Sequence, residues 1–214
     1  MFHLCVLGVC ALIYYWFCVF IKVKVTLLRI TPDPEELIAS SARICYASEP
    51  KTEGANSKLV KNLRNWGHLS TFEHAYATFL IEGVSRACTH QLVRHRLASY
   101  SQQSQRYVNE EGFDYVVPHT VEKDAEAKKK YDDAVESARK AYKDLIDSGV
   151  PKEDARFLLP NAASTKIVVS MNFRELRHFI QIRSAKGAQW EIRELANEIL
   201  MILKEKAPNA FDDL

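Results

Sequence analysis

The stretch Tyr76-Ala77-Thr78-Phe79-Leu80-Ile81 decides the fold class. Ala77, Phe79 and Ile81 alternate with Tyr76, Thr78 and Leu80, the period of two that places one set of side chains on each face of a β-strand. Ser70-Thr71-Phe72-Glu73 just before it has the spacing of a helix capping box, but the residues that follow lack helical periodicity, so the strand reading prevails. Beyond it, residues 85–93 read as a short helix opened by Ser85, which delivers Arg94, His95 and Arg96 at its C-terminal end.

Working outward, residues 23–30 are rich in β-branched side chains and predict a strand that stops at Thr31-Pro32. Asp33-Pro34-Glu35-Glu36 has the form of a helix start, with a capping acid, proline in the first turn and acids facing the positive end of the dipole. Leu37, Ser41, Ile44 and Cys45 then share one face. A second helix opens at Asn56 or Ser57, carries Leu59, Val60, Leu63 and Trp66 as a stripe, and ends at Gly67. Towards the C-terminus, Tyr115-Val116-Val117 is extended, and residues 124–148 form a long helix stopped by Gly149 and Pro151. Its apolar side is Ala127, Tyr131, Ala134, Val135, Ala138, Tyr142 and Leu145, with Lys128 to Lys130 on the solvated face. Residues 166–171 read as a strand. Asn172-Phe173-Arg174-Glu175 caps a helix carrying Leu176, Phe179 and Ile180, and residues 189–206 form the last helix. Strands and helices intersperse without regular βαβ units, so the expected fold is a single α+β domain with an antiparallel or mixed sheet flanked by helices.

The 214 residues, 47% hydrophobic and 26% charged, suffice for one substantial core. A net charge of +2 gives no overall field for a polyanion, so any anion site is a local one. Five cysteines include three, Cys5, Cys10 and Cys18, in one apolar run; Cys45 and Cys88 have no CxxC or metal spacing, which suits reduced thiols in a cytosolic protein. Both lie on apolar helical stretches with no base beside them, so packing is their expected use. Neither GxGxxG nor GxxxxGK[ST] occurs, which argues against a Rossmann or P-loop nucleotide site.

Chemistry gathers between Arg94 and Tyr107: three arginines, a histidine, and a run of serines and amides without Gly, Pro or Asp. Arginine presents a planar fork of donors, and hydrogen bonds to a charged group contribute about 1.5–3 kcal/mol each, so the composition suits a phosphate or carboxylate, with Ser99, Ser101 and Ser104 as short donors. Two other readings stay open. The cluster is a solvated basic turn, or it is a nucleic-acid module with Arg94, Arg96 and Arg106 on phosphates and Tyr100 and Tyr107 stacking on bases.

Arg94-His95-Arg96, seven residues, Ser104, one residue, Arg106 resembles the signature of the flavin-dependent thymidylate synthases, the ThyX family. Order and spacing are similar over roughly residues 23–207. The resemblance implies that His68, Ser70 and Glu73 lie at the flavin and folate side of the site, and that Arg94, His95 and Arg96 hold FAD. Asn172, Arg174 and His178 match a second flavin-binding group; relatives often have Asn where His178 stands. Gln91, Gln102, Ser104, Gln105, Arg106, Arg156 and Arg183 match the dUMP site, with Gln102 where Glu is common. Arg183 is the residue implied to be catalytic. The implied reaction is reductive methylation of dUMP to dTMP, with methylenetetrahydrofolate as carbon donor, FAD as hydride carrier and NADPH as reductant. No metal, nucleic acid or cysteine nucleophile is implied, and the active site is expected to be assembled from several subunits of a cytoplasmic homotetramer. Singly, each residue also has a plainer use: His68 as a helix-end ligand of carbonyls, Glu73 and Asn172 as caps, Arg174 and Arg183 as exposed helix charges.

Residues 1–22 stand apart. From Phe2 to Ile21 there is no Asp, Glu, Lys or Arg, the length and composition of a bilayer-spanning helix, followed by Lys22 and Lys24. A cleaved signal peptide fits worse, lacking a positive n-region and an A-x-A site. As a helix the run is apolar all round, so it either inserts in a membrane, as the anchor of an interaction protein would, or is an upstream extension of the reading frame. The second is the expectation. A chain beginning at Val23 should be soluble, bind FAD and be fully active, and intact mass of the native protein checks it: a species retaining residues 1–22 in the membrane fraction would establish an anchor.

Overall fold

The computed structural model describes residues 23–214; the apolar run at 1–22, with both of its readings, lies outside the described residues. In chain order the elements are β1 (Lys24–Ile30), α1 (Pro34–Cys45), α2 (Ala55–Asn65), a 3-10 turn (Leu69–His74), β2 (Tyr76–Ser85), α3 (Arg86–Leu92) and β3 (Ala98–Gln102). There follow α4 (His119–Glu122), α5 (Ala125–Asp147), α6 (Lys152–Ala155), a second 3-10 turn (Arg156–Leu158), β4 (Ser164–Asn172), α7 (Phe173–Arg183), α8 (Trp190–Lys206) and α9 (Pro208–Phe211). The four strands form one antiparallel sheet in the order β1-β2-β4-β3. The α+β expectation stands.

Strand alternation puts the core on one side of this sheet. Ala77, Phe79 and Ile81 of β2 lie opposite Met171, Val169 and Ile167 of β4, all buried beneath the helices. On the other face Thr78 and Ser170 are joined by a hydroxyl bond of 2.8 Å and are only partly buried. A bulge between Glu82 and Val84, with Gly83 at φ 74, turns the end of β2 towards α3.

Three expectations from the sequence are corrected. The hydroxyl-rich run 98–102 is an edge strand, with Tyr100 opposite Val169 and packed on the core; Ser99 and Ser101 therefore point to the other face, away from Arg94. In α1 the buried residues are Ile38, Ala39 and Ala42, and Leu37 and Ile44 are exposed. The small side chains mark the packed face there because they let α1 come close to α2. Asp33, moreover, adopts a left-handed conformation and makes no side-chain cap. The helix expected at 124–148 is α5, capped by the Asp124 carboxylate on the Glu126 and Ala127 amides.

The C-terminus is held by Arg177, a buried guanidinium on α7 that donates to both oxygens of Asp213, at 2.7 and 2.6 Å, and to the Ala210 carbonyl. Burial works against ionisation of Asp213, but the bonds from Arg177, helped by Arg64, prevail and hold its carboxyl below the usual range. Its contribution is therefore complete above the unfolded carboxyl value of about 4 and is lost as pH falls through the lower folded value. Asp213→Asn should cost about 1–3 kcal/mol at neutral pH, less than a wholly buried pair because Asp213 is 33% exposed. Urea unfolding measures this, and the gap from the parent should close in strong acid.

Candidate active site

Helix α3 begins where Ser85 accepts from the Cys88 amide at 3.0 Å, and Ser85 is itself held by Glu191 of α8. The chain leaves α3 in a tight turn, Arg94 N to Gln91 O and His95 N to Leu92 O. The Tyr100 hydroxyl lies 2.8 Å from both the Leu92 and His95 carbonyls and closes this turn from β3. Burial and the nearby Glu175 charge push the Tyr100 phenol well above its usual range, so it remains a donor. With its ring packed on the core and its hydroxyl bonded at both carbonyls, Tyr100 is not placed to stack on bases, which removes one of the two aromatic partners of the nucleic-acid reading.

The turn sends His95 inward and leaves Arg94 and Arg96 exposed. Facing it is α7, capped by the Asn172 side chain on the Glu175 amide at 2.8 Å. Glu175, Phe179 and Arg183 recur every four residues and so share the helix face that meets the turn. His95 Nδ1 is 3.0 Å from Glu175 Oε1, and Arg183 Nε donates to His95 Nε2 at 3.1 Å while another of its nitrogens reaches the Gln91 carbonyl at 3.3 Å. His178 lies 5.9 Å away, centroid to centroid, and the edge of Phe179 at 5.0 Å. Burial pulls the proton affinity of His95 below its ordinary value; Arg183 and His178 act in the same direction, and the Glu175 bond opposes them. Arg94, His95, Arg96, Glu175, His178 and Arg183 line a cleft of about 360 Å³ with Leu97 and Ile182.

His95, Glu175 and His178 bring three potential metal ligands within 4.8 Å of one another. Both ring nitrogens of His95 are already engaged, however, and three guanidiniums border the cleft, a donor set that suits an anion better than a cation.

The remaining sequence-predicted residues form two further groups. At the start of α7, Arg174 meets Glu73 of the 3-10 turn at 2.5 Å, beside His68, Ser70 and Asn172. On the loop after β3, Ser104 Oγ accepts from the Arg106 amide, Arg106 pairs with Glu153 at 2.9 Å, and Arg156 donates to the Glu153 carbonyl. Gln102 is turned inward onto Thr89 at 2.9 Å, and Gln105 is half-buried nearby. One chain thus gathers Arg94, His95, Arg96, His178 and Arg183 in a single cleft, with Gln91 joined to Arg183 through its carbonyl, and keeps the other two groups apart. Sequence reasoning assigned no site role to Glu175 or Glu153, and gave Tyr100 only the base-stacking role of the nucleic-acid alternative. For Glu175 the spacing to Phe179 and Arg183 was the available signal.

A family model described as "thymidylate synthase complementing protein" matches residues 26–209. Flavin-dependent thymidylate synthase of Geobacter sulfurreducens is 50% identical over 199 residues, spanning 89% of this chain and 86% of that one. The chain belongs to the flavin-dependent thymidylate synthases. The enzyme of that name from Pyrococcus abyssi is 48% identical over 189 residues, 83% of this chain and 78% of its own. Among solved structures, the UMP/dUMP methylase PolB from Streptomyces cacaoi, bound with 5-Br dUMP, superposes with a TM-score of 0.80 over 89% of this chain and 93% of that one. At 23% identity, that likeness speaks to the fold.

The cysteines behave differently from one another. Cys88 is buried in the core, and burial, with Glu191 nearby, pushes its thiol far above the usual range; Cys45 is exposed at the end of α1, not packed as its apolar surroundings suggested. Brief alkylation of the native protein should modify Cys45 and spare Cys88, as read by peptide mass spectrometry. Replacing both by Ala should leave measurable activity, and complete loss in a folded double variant would restore a cysteine mechanism.

Proposed function

We propose that this chain reductively methylates dUMP to dTMP, taking the carbon from methylenetetrahydrofolate and reducing equivalents from NADPH through FAD, as a cytoplasmic homotetramer. What carries the reading is the charge balance of the cleft. Arg94, Arg96 and Arg183 border it, its one carboxylate, Glu175, is committed to His95, and Arg94 and Arg96 have no ion-pair partner among the described residues. Such a surface lacks counter-charge and fits anionic ligands. Among the described residues no helix is long and apolar enough to cross a membrane.

The donor set also fits the flavin. Arg94 and Arg96 are free to meet a diphosphate, and Asn172, whose carbonyl oxygen is spent on the helix cap, keeps its amide hydrogens for a ligand. With His68, Ser70, Glu73, His95, Arg174 and His178 they would hold the cofactor, which supplies hydride when bound. Ser104, Gln105, Arg106 and Arg156 would take the nucleotide phosphate, and Gln91 and Gln102 would complete the substrate pocket. Arg183 would face the pyrimidine, where its uncommitted N–H groups stabilise negative charge on the ring as the carbon is delivered to C5. The bookkeeping closes: the methylene and one hydride make the methyl group, C5 gives up its proton, and that proton with one more from solvent goes to the two folate nitrogens set free. Within a subunit the three arginine groups are separate, and Arg174 lies about 14 Å along α7 from Arg183. That separation supports a site completed by neighbouring subunits.

The purified protein should be yellow, NADPH should bleach it, and dUMP should accelerate the bleaching. A colourless protein that takes up no added FAD would defeat the assignment. Arg183→Ala should abolish dTMP formation and keep the flavin; loss of both together would put that arginine in the cofactor pocket instead.

A further inference from the structure

We infer that Glu175 is a positioning residue for this reaction, its carboxylate acting through His95 to set the direction of the Arg183 guanidinium. The inference rests on the reading of Arg183 as the pyrimidine-facing group. Its starting point is a carboxylate only 6% exposed, on a core-facing turn of α7, whose side chain is bonded to one group, His95. Burying a carboxylate costs several kcal/mol, and an apolar pair would pack the same space without that cost. The bonds show what the charge achieves.

An ionised carboxylate only accepts hydrogen bonds, so Nδ1 of His95 must carry the proton; a guanidinium only donates, so Nε2 must present its lone pair. The two neighbours thus dictate one neutral tautomer between them. Arg183 is held by Nε on that lone pair and by a second nitrogen on the Gln91 carbonyl, which fixes the plane of the guanidinium and leaves its other N–H groups for a ligand. Protonating His95 would place a ring N–H against the Arg183 N–H, removing the bond and setting two cations side by side. The groups facing the imidazole are Glu175, His178 and Arg183 from α7, with Arg94 and Arg96 flanking it in the turn; from β3 the Tyr100 hydroxyl reaches only its carbonyl.

Glutamine at 175 keeps the volume but donates as well as accepts, so it no longer dictates the tautomer. The test titrates flavin-loaded parent and Glu175→Gln with dUMP, following flavin absorbance from about pH 5.5 to 8.5, the range in which histidine titrates. The variant should keep its flavin, bind dUMP about tenfold more weakly at neutral pH, and show its acid limb at lower pH, because the carboxylate that raised the imidazole's proton affinity is gone. Ionisation of the dUMP phosphate is common to both proteins and cancels. A purely structural carboxylate would not move that limb. Affinity within about twofold of the parent, with an unmoved limb, overturns the inference. Should Glu175→Gln fail to fold, Glu175→Asp keeps the charge and withdraws it by one methylene: affinity should fall with the limb in place, and unchanged affinity overturns the inference. A parent protein that binds flavin but not dUMP would instead sink the proposed function itself.

Discussion

The cleft depends on a buried carboxylate that lies outside it. Glu191, in the first turn of α8, accepts from the amide and the hydroxyl of Ser85, each at 2.6 Å, at the point where β2 gives way to α3. Burial raises its pKa, and the two bonds from Ser85 oppose that rise. Ser85 in turn caps α3, so the clasp sets the rotation of a seven-residue helix about its own axis. Each residue of a helix advances the chain by about 100°, and a slip of one position at Ser85 would carry through to the turn. Arg94 or Arg96 would then enter the core in place of His95, and a guanidinium buried there would find Glu175 but lose the cleft.

Helix α7 is the second fixed element. It leaves β4 directly through the Asn172 cap, and its buried residues, among them Leu176, Phe179 and Ile180, key it into the core. Its first turn presents Arg174 towards Glu73 and Glu175 towards the turn after α3, and the turns that follow add His178 and Arg183 on that side. Since β2 and β4 are paired from Tyr76 to Ser85, the sheet register couples the two ends of this helix to the 3-10 turn before β2 and the helix after it. The group proposed to bind flavin and the arginine proposed to face the pyrimidine are therefore spaced by backbone geometry rather than by side-chain reach.

Much of this was legible in the sequence because it rests on local rules. Ser85, Asp124, Asn172 and Gln189 all cap helices in the structure, and the alternation at Tyr76–Ile81 gave the strand. β3 was hidden because an edge strand whose outer face is hydroxylic carries little apolar alternation, with Tyr100 the one large apolar side chain, beside the small Ala98, packed inward. The buried face of α1 was misjudged because size, not hydrophobicity, decided it: Ala39 and Ala42 pack where Leu37 and Ile44 do not. The signature from Arg94 to Arg106 named the family, which later comparisons bear out, but a signature reads as one line and the side chains do not converge as one. Gln102 and Arg106 leave β3 and its loop towards Thr89 and Glu153, away from the cleft that holds His95. Glu175 escaped a functional role because a carboxylate three residues after an N-cap has an ordinary explanation.

The arginines differ in how firmly the protein holds them, and that difference bears on what each can do. Arg183 is bound to two uncharged acceptors, so it is oriented without being neutralised and retains its full field for a ligand. Arg106 and Arg174 each pair with a carboxylate, but both pairs are about half-exposed. Exposed ion pairs contribute only about 0–1 kcal/mol, whereas each hydrogen bond to a charged oxygen contributes about 1.5–3 kcal/mol, so a phosphate would displace Glu153 or Glu73 at little cost. Under the proposed function those carboxylates would hold the two side chains until an anion arrives. Arg94 and Arg96, with no ion-pair partner among the described residues, have nothing to release. The grading runs from a fixed guanidinium, through two in reserve, to two open ones; under the proposed function the first orients a reacting ring and the other four meet the anionic groups of substrate and cofactor.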